Sequence, residues 1–195
     1  SLNITSTNSV TATQNVQTIY SVVATNAAGC TATANKTIYI YSTPILNTVA
    51  NPSTICAGDT AIITVTGASN CTWTGNYLFA NAANDTIWVA PTATETYSVS
   101  ATGANGCVGT QIDSVVVNPL PNANAGLDET ICVGANVTLN ASGGTSYSWS
   151  PANGLSATNI NNPIATLSTT QTYTVLVTDA NGCQNTDDII VNAVP

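Results

Sequence analysis

The chain has 195 residues, of which 5% are charged and 44% are hydrophobic, and its net charge is −8 with Lys36 as the one basic residue. This hydrophobic fraction is enough to bury a core and excludes charge-driven disorder. The near absence of basic side chains excludes nucleic acid and anionic membranes as partners. No run of 18 apolar residues is present, so we expect no membrane-spanning helix.

From its first residues onward the chain repeats itself at a nearly constant interval. Tyr20 and Cys30 recur as Tyr97 and Cys107, at an offset of 77 in residue number (97 − 20 = 107 − 30 = 77). Four anchors then recur at an offset of 76 (132 − 56 = 76), namely Cys56 as Cys132, Trp73 as Trp149, Tyr97 as Tyr173 and Cys107 as Cys183. Serial copies of one small unit are typical of extended stalks and fibres.

The local pattern predicts an all-β protein. In chain order, apolar residues alternate with Thr, Ser or Asn in TAIITVTG (60–67), TYSVSATG (96–103), IDSVVVNP (112–119), NVTLNAS (136–142), TYTVLVTD (172–179) and DIIVNAV (188–194). Period-two alternation of β-branched residues indicates half-buried antiparallel strands. Turn sequences such as AGDT, GANG and DANG separate them. About 75 residues per unit, with a turn roughly every ten, fit a two-sheet sandwich.

The repeat divides the chain into three units. Residues 1–44 hold the C-terminal part of one unit, and 45–119 and 120–195 hold two complete units. The boundaries fall at the proline-bearing joints 42–52 and 118–126, which are too short and stiff to be free hinges. Because the chain begins with Ser and no signal peptide is visible, we expect it to be a processed or excised piece of a longer protein.

Three segments carry a specific resemblance. The sequences SYSWSPANGLSATNINNP, TQTYTVLVTDANGC and NAGLDETICVGANVTLNASGG resemble the PKD/Ig-like repeats of very long secreted surface proteins of Bacteroidota, a group with adhesin-like and gliding-associated members. The similarity is close in the third unit and looser in the second, where GNYLFANAAND replaces the SPANGL segment and Cys71 is added. The resemblance implies tandem immunoglobulin-like β-sandwich domains, export to the cell surface and a spacer or adhesive role, without catalytic residues.

The aromatic residues fall into two classes. Trp73 and Trp149 occupy the third strand of their units and Tyr97 and Tyr173 open a neighbouring strand, so we expect all four in the cores. Tyr77, Leu78 and Phe79 have no counterpart in the third unit and are candidates for a contact patch, although covering a sheet edge is the simpler interpretation. The same two interpretations apply to Tyr39 and Tyr41.

The six cysteines predict disulfides and an oxidising, extracytoplasmic location. The smallest spacing among them is 71 − 56 = 15, which does not fit the close pairs of a zinc site. Equal spacing suggests Cys56 with Cys107 and Cys132 with Cys183.

The topology of an Ig-like unit favours a different pairing. It places those equally spaced partners at opposite poles about 20 Å apart. Stacking units head to tail would instead bring Cys56 to Cys183. Cys71 would then pair with Cys107, and Cys30 and Cys132 would face neighbours beyond this stretch. Both pairing schemes are compatible with the sequence alone.

The sequence offers little chemistry for an enzyme. Without His or Arg, no Ser-His, Cys-His or phosphate-clamp arrangement can form, and the nine carboxylates lie mainly in turns. We therefore expect no catalytic site and no cofactor. Calcium is a minor candidate, because Asp128, Glu129, Asp187 and Asp188 flank the sandwich ends, but no DxDxDG loop is present.

Three tripeptides of the form Asp, then Ser or Thr, then an apolar residue point to O-glycosylation. They resemble the glycan acceptor pattern of exported Bacteroidota proteins and predict acceptors at Thr60, Thr86 and Ser114. Chance occurrence in a Thr-rich chain is the alternative.

Together these features predict a secreted, non-enzymatic structural protein. We expect it to form the stalk of an adhesin or the body of a surface filament, with neighbouring repeats or copies of itself as head-to-tail partners. The competing hypothesis is a module that binds protein or surface glycans.

Overall fold

The structure is a computed structural model that describes residues 2–4, 9–76, 79–81 and 83–195, and the regular elements in these ranges are β-strands. No sheet among the described residues combines strands from two of the predicted units. Residues 1–44 contain β1 (Leu2–Ile4), β2 (Val10–Ala12), β3 (Thr18–Thr25) and β4 (Thr31–Ile38).

The second unit has eight strands in two four-stranded sheets. The strands are β5 (Asn47–Asn51), β6 (Thr54–Cys56), β7 (Ala61–Thr66), β8 (Cys71–Thr74), β9 (Phe79–Ala80), β10 (Thr86–Val89), β11 (Glu95–Thr102) and β12 (Val108–Asn118). The sheet orders are β5-β7-β10-β9 and β6-β12-β11-β8, and β6 runs parallel to β12 while the other pairs are antiparallel. Two mainly antiparallel sheets with this strand order form an immunoglobulin-like sandwich, which confirms the predicted fold class.

The third unit repeats this plan with six strands. They are β13 (Glu129–Cys132), β14 (Asn136–Thr138), β15 (Ser146–Ser150), β16 (Ile164–Thr166), β17 (Gln171–Thr178) and β18 (Gln184–Val194). One sheet has the order β13-β18-β17-β15, with β13 parallel to β18, and β14 pairs with β16 in the other.

One predicted strand, at 136–142, is shorter in the structure. It ends at Thr138, because the residue opposite Leu139 is Pro163, which has no amide hydrogen to donate. Leu139 still donates its amide to the Pro163 carbonyl oxygen at 2.9 Å, so the segment follows its neighbour without a regular ladder.

The cores follow the alternation of the sequence. Every second residue of β7 is buried, and β11 and β17 show the same period from Tyr97 and Tyr173 onward. In the third unit, Trp149 is 2% exposed and donates its indole N–H to the carbonyl oxygen of Ile160 at 2.9 Å. The buried Tyr173 hydroxyl donates to the carbonyl oxygen of Asn153. Both aromatic residues thus bury a large apolar area and keep their one polar group satisfied.

The second unit differs in its tryptophan. Tyr97 is fully buried, but Trp73 is only half-buried, and it lies between two separate core clusters instead of inside one. Its indole N–H reaches the carbonyl oxygen of Asn84 at 2.9 Å, in a turn at the edge of the sandwich. The expectation of a core tryptophan therefore holds for Trp149 and only in part for Trp73.

The Tyr97 ring lies so close to Gly75 that a side chain at position 75 would collide with it. A Cβ atom on Gly75, whose φ is +145°, would lie 2.5 Å from the Tyr97 ring. Desolvation of the phenol, followed by the charge of the Glu95 carboxylate, raises the pKa of Tyr97 to about 12. The hydroxyl therefore stays protonated at ordinary pH in its buried position.

Replacing Trp149 by alanine in the full chain should destabilise the third unit by about 3–5 kcal/mol, because it leaves a cavity between the sheets. Hydrogen exchange of peptides from residues 120–195 would measure the loss. Trp88→Ala is the control, since Trp88 is 38% exposed on β10 and its removal should cost clearly less in the second unit. Equal protection in Trp149→Ala and the unsubstituted chain would contradict the core assignment.

Candidate functional site

A disulfide bridge joins the second unit to the third. It links Cys56 at the end of β6 to Cys183 just before β18, with a Cα–Cα distance of 5.5 Å and a sequence separation of 127. This distance lies in the usual range for disulfides. The bridge connects non-equivalent positions of the repeat, so each complete unit contributes one cysteine to it.

Parallel strand pairing positions Cys56. β6 pairs with the last residues of β12, and Cys56 lies opposite Asn118. The next amide, that of Ala57, donates to the Asn118 carbonyl oxygen at 2.9 Å, and the amide of Asp59 donates to the Cys56 carbonyl oxygen at 3.0 Å. Cys56 is therefore held where the chain leaves the second unit for the third.

A carboxylate positions Cys183. The Oδ1 atom of Asp179 accepts the amide hydrogens of Asn181 at 2.8 Å and of Cys183 at 2.9 Å, which closes the tight turn DANGC. Gly182 in this turn has a φ of +84°, a conformation that glycine adopts without strain. From the sequence, Asp179 is one of nine carboxylates that lie mainly in turns. Its spacing of two and four residues from the amides it binds is the local signal of an Asx turn.

An open cleft of about 470 Å³ lies at the bridge. Most of its lining comes from the pole of the second unit that carries Cys56, and includes Pro52, Asp59, Thr60 and Asn118. The third unit contributes Asn181. These groups offer hydroxyl, amide and carboxylate oxygens but no paired acid and base. Chemically, the arrangement supplies a covalent connection between repeats.

The structure distinguishes between the two predicted cysteine schemes. It contains the stacked pairing of Cys56 with Cys183, which rules out both equally spaced pairs. The companion pairing of Cys71 with Cys107 is wrong, since both are free thiols. β11 lies between β8, which starts at Cys71, and β12, which follows Cys107, so the two cysteines are separated by about two strand spacings, or roughly 10 Å.

The unpaired cysteines differ in environment. Cys71 is buried, and burial followed by the charge of Asp85 raises the pKa of its thiol, so it is chemically quiet. Cys30 and Cys132 are exposed free thiols. Cys107 is half-buried, with its Sγ atom 3.8 Å from the carbonyl oxygen of Tyr41.

The candidate contact patch is described only in part. Phe79 is 72% exposed on the edge strand β9, and Tyr77 and Leu78 lie outside the described residues. Tyr39 and Tyr41 are 58% and 53% exposed, and their rings stack with centroids 6.4 Å apart. The exposed aromatics thus lie in two different units.

Two of the four acids proposed as calcium ligands accept hydrogen bonds from backbone amides. Asp128 accepts the amide hydrogen of Ile190, and Asp187 accepts that of Ala125, each at 2.8 Å. Among the described residues, no group of three or more His, Cys, Asp or Glu side chains lies close enough to hold a metal ion. Asp128 and Asp187 tie the first segment of the third unit to β18.

The three candidate glycan acceptors are accessible to different degrees. Thr60 and Ser114 are exposed, whereas Thr86 is half-buried and donates its hydroxyl to Asp85 at 2.9 Å. Asn81 and Thr86 hydrogen bonds lower the pKa of Asp85. All three acceptors lie in the second unit, and Thr60 also lines the cleft at the bridge.

No protein-family model and no curated protein matches the chain. Among solved structures, the insect immune protein hemolin is 12% identical over 90% of this chain and 56% of its own, with a TM-score of 0.40. A 1.5-MDa bacterial ice-binding adhesin is 16% identical over 90% and 74%, with a TM-score of 0.38. The C-terminal fragment of intimin, in complex with the intimin-binding domain of its receptor, is 18% identical over 75% and 63%, with a TM-score of 0.43.

The chain therefore spans between about half and three quarters of each of these structures. Similarity at this level carries no information about function. The described part of the chain also contains no helix of the length and hydropathy needed to cross a membrane.

Replacing Cys183 by serine should loosen the joint while leaving both sandwiches folded, because each has its own core. The bridge closes a loop with a sequence separation of 127. In the chain-entropy model, opening this loop raises the entropy of the unfolded chain and so lowers the free energy of unfolding by about 5 kcal/mol. Small-angle scattering should show a broader range of interunit distances, with strand amides still protected from exchange. Cys132→Ser, which removes an exposed free thiol, should change neither. Loss of protection throughout 120–195 would mean that the bridge holds the third unit together and does not merely orient it.

Proposed function

We propose that this chain is a secreted, non-enzymatic structural protein whose Ig-like units form the stalk of an adhesin or the body of a surface filament. The observation that carries the proposal is the bridge between Cys56 of one repeat and Cys183 of the next. A disulfide inside a unit would stabilise that unit alone. A disulfide between units makes the joint itself covalent, which matters for a protein that bears load along its length.

The joint has two connections side by side. The polypeptide leaves the second unit at Asn118, and Cys56 lies directly opposite that residue in the parallel pair. The peptide chain and the disulfide therefore leave the second unit at neighbouring points. Two connections restrict pivoting more than one, so tension on the third unit is passed to both β12 and β6.

Composition supports an extracellular setting. A disulfide is typical of oxidising compartments, and the single basic residue, Lys36, leaves no patch for nucleic acid or anionic lipid. The sequence resemblance to PKD/Ig-like repeats of Bacteroidota surface proteins supports the same assignment.

Head-to-tail continuation would use the remaining exposed cysteines. Cys132 occupies the repeat position of Cys56, and Cys30 that of Cys183. By the geometry of the observed bridge, Cys132 of one unit faces a cysteine of the Cys30 type in the following unit. Both thiols are exposed.

Material from the natural source tests the proposal. Electron microscopy should show unbranched fibres or stalks, and digestion without reduction should yield a peptide pair joining Cys132 to a cysteine of the Cys30 type. Single globular particles with Cys132 unpaired would contradict it.

An adhesive module is the second candidate, favoured by the 72% exposure of Phe79 at a sheet edge. It predicts retention of the chain on a glycan array or on a protein ligand and loss of retention in Phe79→Ala. A purely structural role predicts no retention of either form.

If the Asp-Ser/Thr-apolar tripeptides are acceptors, native material should carry hexose-type mass additions on Thr60, Thr86 and Ser114. Exposure favours Thr60 and Ser114, so these two should be modified more completely than Thr86. Thr110 is the internal control, since it is exposed on the same strand as Ser114 but follows Gly109. Glycopeptide spectra with all three acceptors unmodified, or with Thr110 modified equally, would contradict the assignment.

A further inference from the structure

A row of three apolar side chains crosses the outward face of one sheet in the second unit. Phe79 of β9 lies opposite Trp88 of β10, and Trp88 lies opposite Ile62 of β7. Residues directly opposite each other in an antiparallel pair share a face of the sheet. Ile87 and Val89, the neighbours of Trp88 along β10, are fully buried. Because side chains alternate between the two faces, the apolar row of Phe79, Trp88 and Ile62 points away from the core.

The three side chains of the apolar row are exposed together. Phe79, Trp88 and Ile62 are 72%, 38% and 37% exposed. Their Cα atoms span two strand spacings, or about 10 Å, across the sheet. Exposed apolar side chains that occur singly are ordinary, whereas a contiguous group of them marks an interaction surface.

The fold does not require an aromatic side chain in this row. By the offset of 76, Trp88 corresponds to Ile164 and Ile62 to Thr138 (88 + 76 = 164, 62 + 76 = 138). Ile164 and Thr138 are also paired in the third unit. The same positions of the same sheet therefore carry an isoleucine and a threonine in the neighbouring repeat, so the ring of Trp88 has another use than holding the sheet together.

Trp88 offers a hydrogen-bond donor as well as a ring. The indole N–H groups of Trp73 and Trp149 donate to backbone carbonyl oxygens, whereas that of Trp88 has no partner among the described residues. Thr86 and Thr64 form the adjacent pair on the same face and add hydroxyl groups that can accept hydrogen bonds. A ligand on this face can therefore meet an apolar ring and polar groups at once.

Charge and area narrow the class of ligand. The second unit carries four acids, Asp59, Asp85, Glu95 and Asp113, and no basic residue, so an anionic ligand would find repulsion and no partner. With side chains of about 150–250 Å², the exposed area of the apolar row is on the order of 300 Å². A stable protein interface needs about 800 Å² on each partner. A neutral polysaccharide fits both limits, because its rings have apolar faces and its hydroxyls carry no charge.

We propose that the apolar row of Phe79, Trp88 and Ile62 binds a neutral polysaccharide. The C–H groups on one face of the sugar rings stack on Trp88 and Phe79, whose ring faces are electron-rich. Sugar hydroxyls bond to the Trp88 indole N–H and to the hydroxyls of Thr86 and Thr64. The row lies on a sheet face, so it admits an internal stretch of a polysaccharide as readily as an end. This inference rests on the adhesive candidate, whose ligand it names, and does not depend on the stalk role.

Tryptophan fluorescence of the full chain tests the proposal. The probes are the β-1,4-linked hexasaccharides of glucose, mannose and N-acetylglucosamine. At least one should reduce acrylamide quenching, because Trp88 is more exposed than Trp73 and Trp149. The glucose hexasaccharide oxidised at C6 to carboxylates is the matched acidic probe and should bind about tenfold more weakly than its neutral parent. No change with any of the three neutral probes, or tighter binding of the acidic one, would overturn the proposal.

Variants that copy the third unit identify the face. Trp88→Ile should weaken binding about tenfold in calorimetry while β10 stays protected from hydrogen exchange, and Trp88→Tyr, which keeps a ring, should retain most of the affinity. Ile62→Thr should also weaken binding and is the second variant if Trp88→Ile fails to fold. Ile112→Ala is the control, since Ile112 is 61% exposed on β12 of the other sheet. Equal binding by the unsubstituted chain and by folded Trp88→Ile or Ile62→Thr would refute the site.

Two further results distinguish this site from the adhesive candidate on which it rests. Retention on a protein ligand or on the acidic probe alone, lost in Phe79→Ala, would support the adhesive candidate and overturn the neutral-polysaccharide site. A chain that elutes as a dimer, with the dimer lost in Trp88→Ile, would show that a second copy covers the apolar row and would also overturn it.

Discussion

The parallel pairing of β6 with the end of β12 is the interaction on which the rest of the structure depends. It brings Cys56 opposite Asn118, at the point where the chain leaves the second unit, and so decides which cysteine of the next unit can reach it. β13 repeats the pairing along β18, and the amide of Val133 donates to the Val194 carbonyl oxygen at 2.9 Å as that of Ala57 does to Asn118. Each complete unit therefore presents a cysteine at the same pole.

The strands were predictable because alternation is a local property. β7, β11 and β17 lie within a residue of their predicted bounds, since the sequence itself carries the period-two pattern of burial. The early end of β14 was not predictable from local alternation. It depends on Pro163, a residue from another part of the chain that lies opposite Leu139. Trp73 and Trp149 share a repeat position, yet the first is half-buried and the second is buried, a difference that the shared local pattern does not predict.

The candidate site was predictable to a smaller degree, because a disulfide depends on distances across the fold. The poles of an Ig-like unit predict the pair Cys56 with Cys183, which the structure contains. Strand ends at one pole need not be neighbours, so the predicted pair of Cys71 with Cys107 is wrong. Sheet order decides this, since β11 lies between their strands. Asp179 holds Cys183 in place by accepting backbone amide hydrogens two and four residues away. The sequence DANGC predicts a turn, but it does not by itself show that this turn positions a bridging cysteine.

The same pairing links the joint to the folding of each unit. In both complete units, the cysteine of the Cys56 type ends a short strand that pairs in parallel with the last strand of that unit. The cysteine is therefore held at the pole only when its own sheet has formed. We infer that the covalent connection between two units forms after the earlier unit has folded.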